Sequence, residues 1–98
     1  MTQFNLFNKV EKASAIINNR FSTKKLSTTM ESITKQLEFI KKDLENLQHG
    51  ISKASKEDVQ RIIIGVQAIR EIESQSEELA DLLCDIDYEY KKLHGISL

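Results

Sequence analysis

Between residues 26 and 51 the chain places an apolar side chain at every core position of one heptad register: Leu26, Met30, Ile33, Leu37, Ile40, Leu44, Leu47 and Ile51. The steps alternate four and three, which keeps these positions on one narrow stripe of an α-helix. A stripe of this kind is buried by packing against another helix. It predicts a helix 2 over about 24–49. Thr28 and Glu31 have capping-box spacing, and Thr23 offers an earlier cap. Gly50 suits the left-handed position that ends a helix, with Ile51 folding back over the last turn.

Upstream, Leu6, Phe7, Val10, Ala13, Ile17 and Phe21 fall on one helical face and predict helix 1 over about 3–20. The stretch from Asn18 to Thr23 is poor in helix formers and reads as a turn. Downstream, Ser55 with Asp58 is box-like and opens helix 3, over about 56–94. Its stripe is Val59, Ile62, Val66, Ile69, Ile72, Leu79, Leu83, Ile86, Tyr90 and Leu93, with Ser76 as the one polar interruption. Ser74 and Glu77 also have capping-box spacing, but no Gly, Pro or Asn breaks the segment and the stripe resumes in phase. The pattern therefore predicts one all-α domain spanning 1–98, an antiparallel bundle of three helices with a long third helix. The alternative is a four-helix bundle with a break near 74–76.

A continuous third helix has a geometric consequence. If it packs antiparallel to helix 2, Leu26 lies opposite about residue 79, and the remainder reaches about 20 Å further at 1.5 Å per residue. Leu83, Ile86, Tyr90 and Leu93 would then lack cover from helix 2, and either helix 1 bends back to cover them or a second chain does. An uncovered apolar stripe is an association site, and the chain is expected to dimerise or to bind a partner there.

Composition narrows the function classes. The three glycines and absence of proline disfavour a loop-rich or all-β protein. Residues 1–56 carry ten Lys/Arg against five Asp/Glu, and residues 57–98 carry four against ten, so the halves have opposite sign. The charge of −1 overall gives no general field for nucleic acid. The lysine pairs 24–25, 41–42 and 91–92 do not form a phosphate-tracking stripe. A nucleic-acid-associated factor, or an acidic DNA mimic, stays only as an alternative. No apolar run matches a transmembrane helix, and the first twenty residues lack a secretory pattern. With the single Cys84, this places the expectation in the cytoplasm.

No catalytic motif is found: no nucleophile elbow, zinc-protease helix or P-loop. His49 and His94, each before a glycine at an expected helix end, read as caps. No catalytic, cofactor or metal residue is assigned, and no enzyme is expected. The most informative polar feature is an acidic run without an intervening base: Glu71, Glu73, Glu77, Glu78, Asp81, Asp85, Asp87 and Glu89. Glu71, Glu78 and Asp85 share one side of a helix, with Glu77 and Asp81 alongside. This face is either solvated, docked on Lys24, Lys25 and Lys35, or offered to a basic partner. Gly65, within the apolar run 62–66, marks a place where another helix approaches closely.

The chain thus reads as a non-enzymatic protein–protein interaction module, of the kind found among small adaptors, chaperones, antitoxins and immunity-like proteins. The candidate partner-binding residues are Glu71, Glu78, Asp81 and Asp85 with Leu83, Ile86, Tyr90 and Leu93. A purely structural homo-oligomer is the other reading of the same stripe.

Overall fold

A computed structural model describes residues 2–21, 28–51 and 54–95. Among these residues all regular structure is helical. Helix α1 spans Thr2–Phe21 and α2 spans Thr28–Gln48. A short α3, Lys56–Gln60, is followed by a single turn α4, Ile64–Gln67, and a π-helical turn, Ala68–Ile72. Helix α5 spans Glu77–Leu93. The helix α1 packs on α5 and α2, and α5 also packs on α4 and the π-helical turn.

The first two helices follow their stripes. Leu6, Val10, Ala13 and Ile17 of α1 are buried with Met30, Ile33, Leu37, Ile40 and Leu44 of α2. Leu47 is half-buried and Ile51 is exposed, while Leu26, Thr23 and Lys24-Lys25 lie outside the described residues. Gly50, at φ +74°, ends α2, and the Ile51 N–H donates to the Asn46 carbonyl at 2.8 Å. Ser55 and Asp58 form the expected capping box: each side chain accepts from the other residue's backbone N–H.

The long third helix is not formed. A helix over 56–94 would be about 57 Å long, whereas the molecule's largest extent is 38 Å. Of the two forms weighed from the sequence, the compact bundle with a break near 74–76 is the one observed. The α5 helix starts on Ser76, whose hydroxyl accepts from the Leu79 N–H at 3.2 Å, so the polar interruption of the stripe is an N-cap. Glu77 and Glu78 occupy its first turn and Lys91 and Lys92 its last, both favourable to the helix dipole.

A second break, at residues 61–63, had no strong local signal. Three consecutive β-branched residues, Ile62-Ile63-Ile64, weaken the helix there. Two side chains from other helices then satisfy backbone groups that the break frees. The Ile63 N–H donates to Gln36 Oε1 of α2 at 2.7 Å, and the Gly65 N–H donates to Asp87 Oδ2 of α5 at 2.9 Å. Gln36 Nε2 also donates to Gln67 Oε1 at 2.8 Å, and Gln67 Nε2 to Ser32 Oγ at 3.2 Å. The following π-helical turn closes with Glu73 N–H to the Ala68 carbonyl at 2.9 Å.

Together the break and the π-turn rotate the apolar stripe. The sequence periodicity placed Ile62, Val66, Ile69 and Ile72 in the core. The buried set is instead Ile62, Ile64, Ala68 and Ile72, and Val66 and Ile69 are turned outward.

Candidate partner-binding surface

The outward residues form an apolar ridge. Ile63, Val66 and Ile69 occupy successive turns of the 63–72 segment, at 46%, 51% and 61% exposure. Scattered exposed aliphatics are ordinary on a protein surface, but three on consecutive turns of one short element are a surface feature. The ridge is held from beneath by Gln36 and Asp87. Asp87 is itself fixed by an ion pair to Lys91 at 2.8 Å.

Acids follow the ridge along the chain. Glu71, Glu73, Glu77, Glu78, Asp81 and Asp85 are all exposed, and between residues 61 and 85 the exposed bases are Arg61 and Arg70. Their relation to the ridge is registered at Cys84, whose Sγ lies 3.7 Å from the Gly65 carbonyl at the α4–α5 seam. Burial pushes the Cys84 thiol up, and the negative charges of Asp81, Asp87, Asp85 and Glu73 push it further. Besides Asp87, three members of the acidic run have partners among the described residues. The Thr29 hydroxyl donates to Glu71, and Lys9 Nζ lies 3.8 Å from Asp85 and pairs with Glu89. The hydrogen bond to Glu89 raises the Lys9 ammonium, partly opposed by burial.

The apolar residues assigned to the partner surface lie elsewhere. Leu83, Ile86 and Tyr90 are fully buried in the chain's own core, and Leu93 is half-buried against it. The expectation that they stand outside the monomer's core is corrected. The break near 74–76 folds α5 back onto α1, which supplies the cover that a straight helix would have lacked. The geometric reason for expecting a second copy disappears with it.

Tyr90 instead serves a buried polar cluster. Its hydroxyl donates to Asp43 Oδ2 at 2.6 Å, and His94 Nε2 meets the same oxygen at 2.8 Å. The Tyr90 and His94 rings stack edge to face, with centroids 4.9 Å apart. Burial, then the bond to Asp43, drive the Tyr90 phenol far above its ordinary range. His94 thus does more than end a helix: it ties the C-terminal turn of α5 to α2. Among the described residues, Asp43 Oδ1 has no hydrogen-bond partner.

A shallow groove runs between α2 and α3 on both sides of the exposed Phe39. Its two hollows have volumes of about 200 and 240 Å³. Lys35, Lys42 and Arg61 line it with Asp43 and Asp58, so its charge is mixed. Among the described residues, no group of His, Cys, Asp and Glu could hold a metal ion, and no helix is long and apolar enough to cross a membrane.

The exposed ridge and the exposed acids of α5 lie on the surface of a small helical bundle. Comparison with protein families gives that surface a context: residues 6–92 match the profile of the family named Tsi6. The chain belongs to the Tsi6 family. Tsi6 is a family of small immunity-type proteins linked to type VI secretion. The match runs from Leu6 in α1 to all but the last residue of α5, so it embraces the ridge and the acidic run. No curated protein and no solved structure matches the chain.

The sequence reading missed the ridge because it carried one helical phase through residues 61–76. A partial signal existed in Gly65, read as a point of close approach. The approaching group is Asp87 of α5: a Cβ at Gly65 would lie 3.1 Å from Asp87 Oδ2.

Proposed function

We propose that this chain is a non-enzymatic immunity protein that neutralises a protein toxin by binding it. Membership of the Tsi6 family across residues 6–92 carries the reading. The fold supports it: a small helical bundle with an exposed apolar ridge and exposed acids on α5. The partner is basic where it meets the chain, and Glu78, Asp81 and Asp85 supply the complementary charge, with Glu71 at the edge beside Thr29. Such charges raise the association rate and set orientation more than they set affinity.

The test is protection against the toxin domains of type VI effectors from the same cells. Co-expression of the chain should rescue growth of a host making one such toxin. With purified components, toxin activity should fall in proportion to the chain added and end near equimolar ratio. Rescue by far less than equimolar chain would point to catalysis. Failure to protect against any of these toxins, with no complex formed, would overturn the immunity reading.

A further inference from the structure

We propose that the ridge Ile63–Val66–Ile69 is the docking element for the toxin, received by an apolar hollow on the toxin whose rim is basic; this rests on the immunity reading above. An α-helix continuing in phase from α3 would have placed Val66 and Ile69 in the core stripe. The chain instead breaks at 61–63, forms a π-helical turn, and turns both side chains to solvent. That arrangement is not a loose end. Gln36 accepts from the Ile63 N–H, Asp87 accepts from the Gly65 N–H, and Gln67 is tied to Gln36 and Ser32. Polar side chains on two different helices thus hold the ridge in its exposed phase, so little ordering cost remains when a partner covers it.

Charge decides the occupant. Within 61–85, which includes the ridge, there are six exposed acids and two exposed bases, Arg61 and Arg70. The acids Glu73, Asp81 and Asp85 are close enough to Cys84, at the foot of the ridge, to raise its thiol. An acidic or uncharged apolar partner would bury these carboxylates without compensation. A second copy of this chain would bring the same acids face to face. A toxin surface with lysines or arginines around an apolar hollow meets both features at once, as a central apolar contact with a charged rim.

The experiment is calorimetric titration of the full chain with the toxin domain it protects against, each purified separately, at low and at high salt. Val66→Asp/Ile69→Asp should weaken binding by about thirtyfold or more, the scale of hot-spot residues, and leave the melting temperature near wild type. Glu73→Lys/Asp81→Lys/Asp85→Lys should weaken binding mainly at low salt and flatten its salt dependence. Ile51→Asp, an equally exposed aliphatic at the end of α2, should change neither. Unchanged affinity for the ridge variant would overturn the ridge as the docking element while leaving the immunity reading in place. A large loss of stability in that variant would show that the chain covers the ridge itself, and would also overturn the proposal. If the wild type binds no toxin, the immunity reading fails and takes the occupant with it.

Discussion

Replacing Gly65 by alanine probes the contact that sets the ridge. In an open helical turn this change stabilises, by up to about 1 kcal/mol, because alanine is the better helix former. Here the new Cβ would meet three atoms of one side chain: Asp87 Oδ2 at 3.1 Å, Cβ at 3.3 Å and Cγ at 3.4 Å. Asp87 has little room to yield. It is buried, it accepts from the Gly65 N–H at 2.9 Å, and it holds Lys91 at 2.8 Å. Moving it loses a charge-assisted hydrogen bond worth about 1.5–3 kcal/mol. The loss outweighs the propensity gain, and the net effect is destabilisation of about 1–2 kcal/mol. For a domain of this size that is a fall in Tm of roughly 4–15 °C. Urea unfolding gives the free energy directly. In an Asp87→Ala background the obstacle is gone, and Gly65→Ala should turn neutral or stabilising, so a double-mutant cycle isolates the contact. A Gly65→Ala chain as stable as the wild type, or more so, would refute the close packing of α4 on α5.

Three further outcomes follow from the core and its edges. Leu37→Ala, at a site 2% exposed, should cost about 2–5 kcal/mol in urea unfolding, while Lys41→Ala, which loses only a pair to Glu11 on the surface, should melt near wild type. Ile86→Asp should unfold the chain rather than release a folded monomer from a dimer, since Ile86 lies wholly within the chain's own core; circular dichroism and sedimentation separate the two results. Cys84 should be alkylated more slowly in the native chain than in urea, because burial and the neighbouring acids keep its thiol protonated to higher pH. By the same sign, its contribution to stability is present below the free thiol's range and declines as pH rises through the native value.

Much of the fold could be read from local pattern because α1 and α2 obey it without interruption. Their stripes are continuous, and both Gly50 and the Ser55–Asp58 box act as residues of those types do elsewhere. The region from 61 to 76 resisted because its breaks are decided by tertiary partners. Nothing around Ile63 announces that Gln36, twenty-seven positions earlier, will take its N–H. Nor does the spacing reveal that Asp87, read as one acid in a run, is buried against Gly65. Ser76 was legible in hindsight: a lone serine interrupting a stripe, three residues before a leucine, is an N-cap pattern. Missing that cap lengthened the helix, exposed Leu83, Ile86 and Tyr90 on paper, and hid the ridge. The acids at 78, 81 and 85 stayed where the pattern put them, on the surface of α5.

The proposed docking surface is the 63–73 segment with the acidic side of α5. Hydrogen–deuterium exchange of the chain, alone and saturated with its toxin, addresses it most directly. Slowing should concentrate in peptides covering 61–73 and the first two turns of α5, with α1 little changed. Protection confined to α1 and α2, with 61–73 exchanging as in the free chain, would contradict it.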